Sequence, residues 1–216
     1  SCSNYALSLQ CDLTDPIAVE KAFSSIILHF GGLDIMVSNA GCAYQGNMSS
    51  LDNSLLFKSI DINLYSHQYV AQNAVKIFKA QDYLNTTTDH IIGGQILFNI
   101  SKQSINPGPE FGSYGISKAA LLALMKQYAI EEGPAKIRCN GINADRIRSA
   151  LLNDEMIKSR SSSRGLAEDE YMQGNLLRSE VNAEDVAVAF VSLASMEKTT
   201  GALITVDGGN TAAMVR

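Results

Sequence analysis

The sequence predicts an α/β domain built as a doubly wound parallel sheet with helices on both faces. Short apolar runs at 33–37, 96–100, 137–143 and 202–206 alternate with longer stretches of helical period. Polar residues able to do chemistry, Asn39 and Ser101 among them, fall just after such runs. That places them at strand carboxyl ends, where open α/β sheets bind ligands.

Taken in order, Tyr5 to Leu13 reads as a first strand carrying Asp12 at its end. Thr14-Asp15-Pro16 supplies a helix cap with proline in the first turn, and Ile17, Phe23, Ile26, Ile27 and Phe30 form the apolar face of the helix that follows. Gly31-Gly32 stops it. Leu33 to Val37 is a strand, and Ser38-Asn39-Ala40-Gly41 turns at its carboxyl end. A long helix is expected from Asn53 to Ala80, burying Leu56, Ile60, Tyr69, Val70, Ala74 and Ile77, followed by a polar surface excursion from Gln81 to Gly94. Ile96 to Ile100 reads as a buried strand, and Ser113 to Glu132, with its Ala-Leu-rich centre, as a helix. Ile137 to Asn143 is a strand, Asp185 to Ser195 a helix, and Ala202 to Val206 a last strand closed by Asp207-Gly208-Gly209-Asn210. Between them, residues 144–181 are polar and irregular with short helices, which suits a lid over the sheet's carboxyl edge.

The 216 residues, 46% of them hydrophobic, can bury one substantial core, and residues 1–216 read as one domain. The apolar runs are too short to span a bilayer, and Ser1 to Gln10 lack the basic-then-apolar order of an export signal, so a cytoplasmic location is expected. A formal charge of −5 argues against a nucleic-acid partner, and the one basic cluster, Lys158 to Gly165, reads as a flexible loop tip. Cys2, Cys11, Cys42 and Cys139 show no metal-ligand spacing and are expected to be reduced thiols, buried or partly so. His29, His67 and His90 stand far apart and read as surface or boundary residues, so no metal site is expected.

The chemistry concentrates in Phe98-Asn99-Ile100-Ser101 and Tyr114-Gly115-Ile116-Ser117-Lys118. Tyr114 and Lys118, four apart, share one face of a helix, and Ser101 closes the strand before it. A phenol left alone ionises near about pH 10, so a neighbouring ammonium is what would make it a base at neutral pH. Hydroxyl, phenol and ammonium converging on one substrate oxygen read as a proton-transfer site.

These residues make the chain resemble the short-chain dehydrogenase/reductase family over essentially its whole length. Asp12 in Cys11-Asp12-Leu13-Thr14-Asp15 matches the family's adenine-contacting Asp, Asn39-Ala40-Gly41 its cofactor-lining turn, and Asn63 in Asp61-Ile62-Asn63 its helical Asn. Ser101, Tyr114 and Lys118 match its catalytic set, and Val206-Asp207-Gly208-Gly209 its last strand and turn. The resemblance implies a Rossmann-like fold and hydride transfer between NAD or NADP and a small hydroxy or carbonyl compound, sugar-like or hydroxyaldehyde-like. Tyr114 is then the general acid/base, Ser101 orients the reacting oxygen, Lys118 lowers the phenol pKa and binds the nicotinamide ribose, and Asn63 holds a water that relays the proton. Ile147 matches the position whose backbone contacts the nicotinamide amide, although Ala144-Asp145 replaces the usual Pro-Gly.

Within the family the chain is similar to the dehydrogenase module fused behind a class II aldolase in bifunctional rhamnulose-phosphate aldolase/lactaldehyde dehydrogenase-like proteins. The likeness rests on Ser101-Lys102 followed by Asn106-Pro107-Gly108, on Asn143-Ala144-Asp145, and on the ending Thr205 to Asn210 followed by Ala212-Ala213-Met214-Val215-Arg216. It favours NAD over NADP and implies an amino-terminal aldolase domain. The family's opening Thr-Gly-x-x-x-Gly-x-Gly turn, which holds the cofactor diphosphate, occurs nowhere in the sequence. The first two strands are missing with it, so the domain is expected to be incomplete at its amino end, and the fragment alone inactive. A homodimer or homotetramer is expected through the helices 53–80 and 113–132.

Arg146, Arg148 and Arg178 lie in or beside the lid and suit an anionic substrate, a solvated lid surface being the plainer reading. Two rival functions remain open. One is a scaffold or binding module that keeps the fold without catalysis, and the other a lyase or epimerase that uses Tyr114 without net redox change.

Overall fold

The computed structural model describes residues 5–84 and 93–211. Helix α1, Pro16–Phe30, begins where the Asp15 carboxylate accepts the Ile17 N–H and ends at Gly31, whose φ of 79° is open to glycine. Strand β1 is Ile35–Ser38. Helix α2, Asn53–Ile60, passes through a π-helical turn, Asp61–Tyr65, into α3, Ser66–Leu84. The single helix expected from 53 to 80 is therefore continuous in direction but widened around Asn63, and such π turns gather at functional sites. Strand β2, Gln95–Asn99, leads through a short 3₁₀ turn, Lys102–Ser104, to helix α4, Gly112–Glu132. Strand β3, Arg138–Ala144, is followed by the short helices α5, Asp154–Ser162, and α6, Glu168–Met172. Helix α7, Ala183–Ser195, and strand β4, Leu203–Val206, complete the described chain.

The sheet is parallel throughout, in the order β1-β2-β3-β4, with Ile96 beside Met36 and Cys139, and Ile142 beside Ile204. Alternation along the strands splits the core in two. Met36, Ile96, Phe98 and Cys139 pack with α1, α3 and α4 through Val19, Phe23, Val70, Phe78 and Met125. Leu97 and Ile142 pack on the other face against Val186 and Leu193 of α7. Helices thus cover both faces, as the alternating pattern predicts.

The strand expected at Tyr5 to Leu13 does not form. That segment is extended and exposed, with Tyr5, Leu7 and Leu9 facing solvent, and only Cys11 and Leu13 reach the core. Among the described residues no strand lies beside it to exchange backbone hydrogen bonds, so the apolar pattern finds no ladder to join. The outer edge of β1 is likewise unpaired there, leaving Ile35 and Val37 about half exposed. Most of the polar excursion, residues 85–92, lies outside the described residues, as do Cys2 and His90. No helix among the described residues is long and apolar enough to cross a membrane.

Candidate functional site

The carboxyl ends of β1, β2 and β3 open onto a cavity of about 950 Å³. Ser101 reaches it because β2 ends just before, at Asn99, and the chain turns into the 3₁₀ segment that the Ser101 hydroxyl itself caps by accepting the Gln103 N–H. Tyr114 and Lys118 reach it from the first turns of α4, one turn apart and both buried. The Lys118 Nζ lies 5.8 Å from the centre of the Tyr114 ring and donates a 2.8 Å hydrogen bond to the Asn99 carbonyl. Hydroxyl, phenol and ammonium therefore face one space.

Burial sets the electrostatics of this trio. It pulls Lys118 down to about 8, a shift that Cys42 opposes. It pushes the Tyr114 phenol above its ordinary value, with Ser101 acting in the opposite direction and Cys42 adding to the rise. The phenol thus moves contrary to the sequence expectation, because the loss of water on burial outweighs the Ser101 hydrogen bond, while the Lys118 ammonium donates to the Asn99 carbonyl. A protonated phenol is a proton donor, and a lysine near 8 exchanges protons readily at neutral pH.

Asn39, Ala40 and Gly41 line the cavity where β1 ends. The Asn39 Oδ1 accepts 2.7 Å from the Asn99 amide, tying the first strand end to the second. Gly41 is where the backbone needs to be bare: a Cβ there would stand 3.1 Å from Asn63 Oδ1 and 3.6 Å from Lys118 Nζ. Asn63, fully buried in the π turn, clamps the next residue, its Oδ1 accepting the Cys42 N–H and its amide donating to the Cys42 carbonyl, each at 2.9 Å. The second amide hydrogen goes to Ser117 Oγ at 3.0 Å. Ile147 lines the cavity from beyond β3. Asp12 does not: it is exposed, and its Oδ1 accepts the Thr14 N–H and hydroxyl at 2.9 and 2.7 Å, which holds its carboxyl below the usual range.

His67 is a buried neighbour of the site that the sequence reading took for a surface or boundary residue. It is buried, with Nε2 2.9 Å from the Ala40 carbonyl and Nδ1 against the Ser38 hydroxyl, on a ring that burial and the Lys118 charge hold down to about 3. The neutral ring donates to Ala40 and accepts from Ser38, bracing the turn into Asn39-Ala40-Gly41. Its place one turn past Asn63, on a helix running under that turn, is the only sequence signal for it.

The segment expected as a lid, residues 144–181, carries the other departures. Lys158 to Ser162, expected as part of a loop tip, is the end of α5, because Asn153 caps that helix and Ile157, buried with Leu152, Tyr171 and Met172, anchors it in a small core of its own. Arg160 is consequently buried, and Arg160 and Arg164 line the cavity beside Arg146. Of the other arginines singled out from sequence, Arg148 is spent on Glu180 at 2.7 Å and Asp154 at 3.3 Å, and Arg178 does not line the cavity. Lys102, also buried, reaches Asp145 at 3.4 Å, and Asp145 further receives the Asn210 amide.

Comparison with known proteins agrees with this architecture. The family described as Enoyl-(Acyl carrier protein) reductase matches residues 2–211. The chain is 32% identical to an uncharacterized oxidoreductase, YuxG, of Bacillus subtilis, with 98% of this chain but only 30% of that protein covered. It is 28% identical to an L-rhamnose 1-dehydrogenase (NAD(P)(+)) of Azotobacter vinelandii, covering 94% of this chain and 75% of that one. Among solved structures, a short-chain type dehydrogenase/reductase from Mycobacterium marinum superposes with a TM-score of 0.82 at 26% identity, covering 95% and 76% of the two chains. Levodione reductase gives 0.83 at 22% identity, covering 96% and 78%, a likeness of fold.

Proposed function

Because the chain belongs to the short-chain dehydrogenase/reductase family of oxidoreductases, we propose that it carries the catalytic half of an enzyme that moves a hydride between a nicotinamide cofactor and a small hydroxy or carbonyl compound. The observation that carries the reading is the convergence of Ser101, Tyr114 and Lys118 on one cavity, with Lys118 fixed by the Asn99 carbonyl. A bare Gly41 backbone against Lys118, and two ammonium hydrogens left after the bond to Asn99, fit the nicotinamide and its ribose. Asn39, Ala40, Gly41, Tyr114, Lys118 and Ile147 would hold that half, and Asp12 the adenine if the extended segment closes over it. The sequence holds no glycine-rich turn for the diphosphate. The bound cofactor supplies a hydride acceptor or donor.

The chain's own residues do the rest. Ser101 hydrogen-bonds the reacting oxygen and turns it toward Tyr114. In the reducing direction Tyr114, kept protonated by burial, gives its phenolic proton to that oxygen as charge develops. Lys118, poised near 8, restores the proton, and the one Oδ1 lone pair that Asn63 has left can hold the water that brings it from solvent. In the oxidising direction the same proton runs outward.

Kinship to sugar-oxidising relatives supports a sugar or hydroxyaldehyde substrate, and NAD is favoured over NADP through the lactaldehyde-type likeness. The match covers 30% of the Bacillus relative and leaves the rest of that protein outside it. Pairing of subunits through α2, α3 and α4 is supported by Phe57, Tyr65, Ile116 and Ile130 exposed on the helical run. The deciding experiment is Tyr114→Phe in the full-length protein, followed by the absorbance of reduced nicotinamide. Loss of about a hundred- to ten-thousandfold in kcat with dinucleotide affinity kept is expected. Undiminished turnover defeats the assignment, and conversion of substrate without net change in reduced cofactor favours a lyase or epimerase.

A further inference from the structure

Three guanidinium groups surround one ring in the lid. The Cζ atoms of Arg146, Arg164 and Arg160 lie 4.6, 5.5 and 6.0 Å from the centre of Tyr171. Arg160 also stacks 3.9 Å over Phe111, and its Nε–H donates 2.7 Å to the Tyr171 hydroxyl. Aromatic faces offer each cation a modest attraction, yet they do not neutralise it. Among the described residues no carboxylate lies within ion-pair distance of Arg160 or Arg164. The one carboxylate at this end of the cavity, Asp145, is shared by Arg146 at 3.6 Å and Lys102 at 3.4 Å. Glu110, the acidic group that Arg164 feels from outside, is held by the Gln45 amide at 2.9 Å. A cluster of cations that repel one another, Arg160 buried and Arg146 and Arg164 half-buried, with the space before them open, wants an anion.

The cluster sits at a fixed place relative to the chemistry. Phe111, the residue just before α4, lies about one turn ahead of Tyr114, their rings edge to face at 6.2 Å between centres, and Arg160 covers the Phe111 ring. A molecule with its reacting oxygen at Tyr114 and Ser101 therefore meets the arginines a short chain's length away, along the wall formed by Phe111. Gly108 borders the same spot, its Cβ position 3.5 Å from Arg160 Nη2.

Resting on the dehydrogenase reading above, we propose that the substrate carries an anionic group, a carboxylate or a phosphate, that docks on Arg160 and Arg164 beside Tyr171 while its hydroxyl or carbonyl oxygen sits at Ser101 and Tyr114. Arg146 flanks the subsite and is half-neutralised by Asp145. The guanidinium fork suits either oxyanion, and the lid core of Ile157, Tyr171 and Met172 holds Arg160 in place for it. A neutral sugar leaves these cations without a counter-charge, so the specificity expected here differs from that of a rhamnose-oxidising relative.

The test titrates the full-length protein calorimetrically with succinate, inorganic phosphate and, as neutral control, glycerol. At least one anion is expected to bind, glycerol not at all, and Arg160→Met or Arg164→Gln to weaken the anion about tenfold or more. Arg160→Lys keeps the charge without the fork and covers the case in which Arg160→Met does not fold. In turnover, glyceraldehyde 3-phosphate and succinic semialdehyde separate the two oxyanions, and glyceraldehyde measures the neutral background. An arginine variant should raise KM for the charged compound and leave the KM for glyceraldehyde within about twofold. Absence of anion binding, or equal binding by the variants, overturns the proposal. So does displacement of bound phosphate by NADP, which assigns the cluster to the cofactor. Calorimetry does not depend on turnover, so anion binding that survives while Tyr114→Phe keeps full activity would defeat the dehydrogenase reading alone.

Discussion

Replacement of Lys118 by Met separates what the lysine does for catalysis from what it costs the fold. Its ordinary value is 10.5 and burial brings it to about 8. At about 1.4 kcal/mol per tenfold change in proton affinity, that gap corresponds to about 3 kcal/mol. Between about 8 and 10.5 the unfolded chain binds a proton at this residue that the folded chain does not, so stability rises with pH across that window. The contribution is complete above 10.5 and lost as pH falls through about 8, which means that at neutral pH the charged lysine is held against its preference. Lys118→Met removes the penalty but leaves the Asn99 carbonyl without its donor, a loss of about 1–3 kcal/mol. The variant is therefore expected to match or slightly exceed the parent in stability at pH 7 while losing activity. Urea unfolding followed by circular dichroism, run on both proteins from pH 7 to beyond the upper limit of the window, is the assay. The variant-minus-parent difference should fall by about 3 kcal/mol over the window, from zero or slightly positive to negative, whereas Tyr128 and Cys139, which burial pushes up to about 12, change both proteins alike. A difference that stays flat refutes the claim that Lys118 is desolvated in the folded chain.

Gly41→Val is expected to fold and to lose dinucleotide affinity by about tenfold or more, since even a Cβ meets Asn63 Oδ1 at 3.1 Å and the branched side chain fills the approach to Lys118. Equilibrium dialysis with NAD checks it, and unchanged affinity removes Gly41 from the cofactor wall. His67→Ala should lower stability by about 2–4 kcal/mol by stranding the Ser38 hydroxyl and the Ala40 carbonyl. Because the ring is held down to about 3, the parent should also lose stability as pH falls from 6.5 toward that value, and the variant should lack that slope in urea unfolding at acid pH.

What the sequence disclosed follows the range of the interactions involved. Strands and helices announced themselves through local period and caps, so β2, β3, β4, α1, α4 and α7 lie within a few residues of expectation. The cavity-lining trio was legible because Ser101, Tyr114 and Lys118 are set by a strand end and a helical repeat. Tyr5 to Leu13 misled because alternation reports a tendency to pair, and pairing needs a neighbour. His67 and Arg160 escaped notice for a different reason: each is buried by partners far along the chain, Ser38 and Ala40 for the first, Phe111 and Tyr171 for the second. The direction of the Tyr114 shift was missed likewise, as burial is a property of the assembled wall and not of a four-residue spacing.

Two kinds of strain meet at the cavity, and they divide its labour. Lys118 and His67 are bases that burial keeps from charging fully, and each is bound to a backbone carbonyl after a strand end, Asn99 for one and Ala40 for the other. Burial thus leaves Lys118 near 8, able to exchange a proton close to neutrality, and holds His67 neutral there. Across the cavity, Arg160 and Arg164 repel one another, and among the described residues no carboxylate lies within ion-pair distance of either. That repulsion can be relieved only by an arriving negative group, whereas the lysine's can be relieved by releasing a proton. On the two proposals above, one wall of the cavity answers to protons and the other to an anion, and a substrate that offers both an oxygen to protonate and a charge to neutralise relieves both at once.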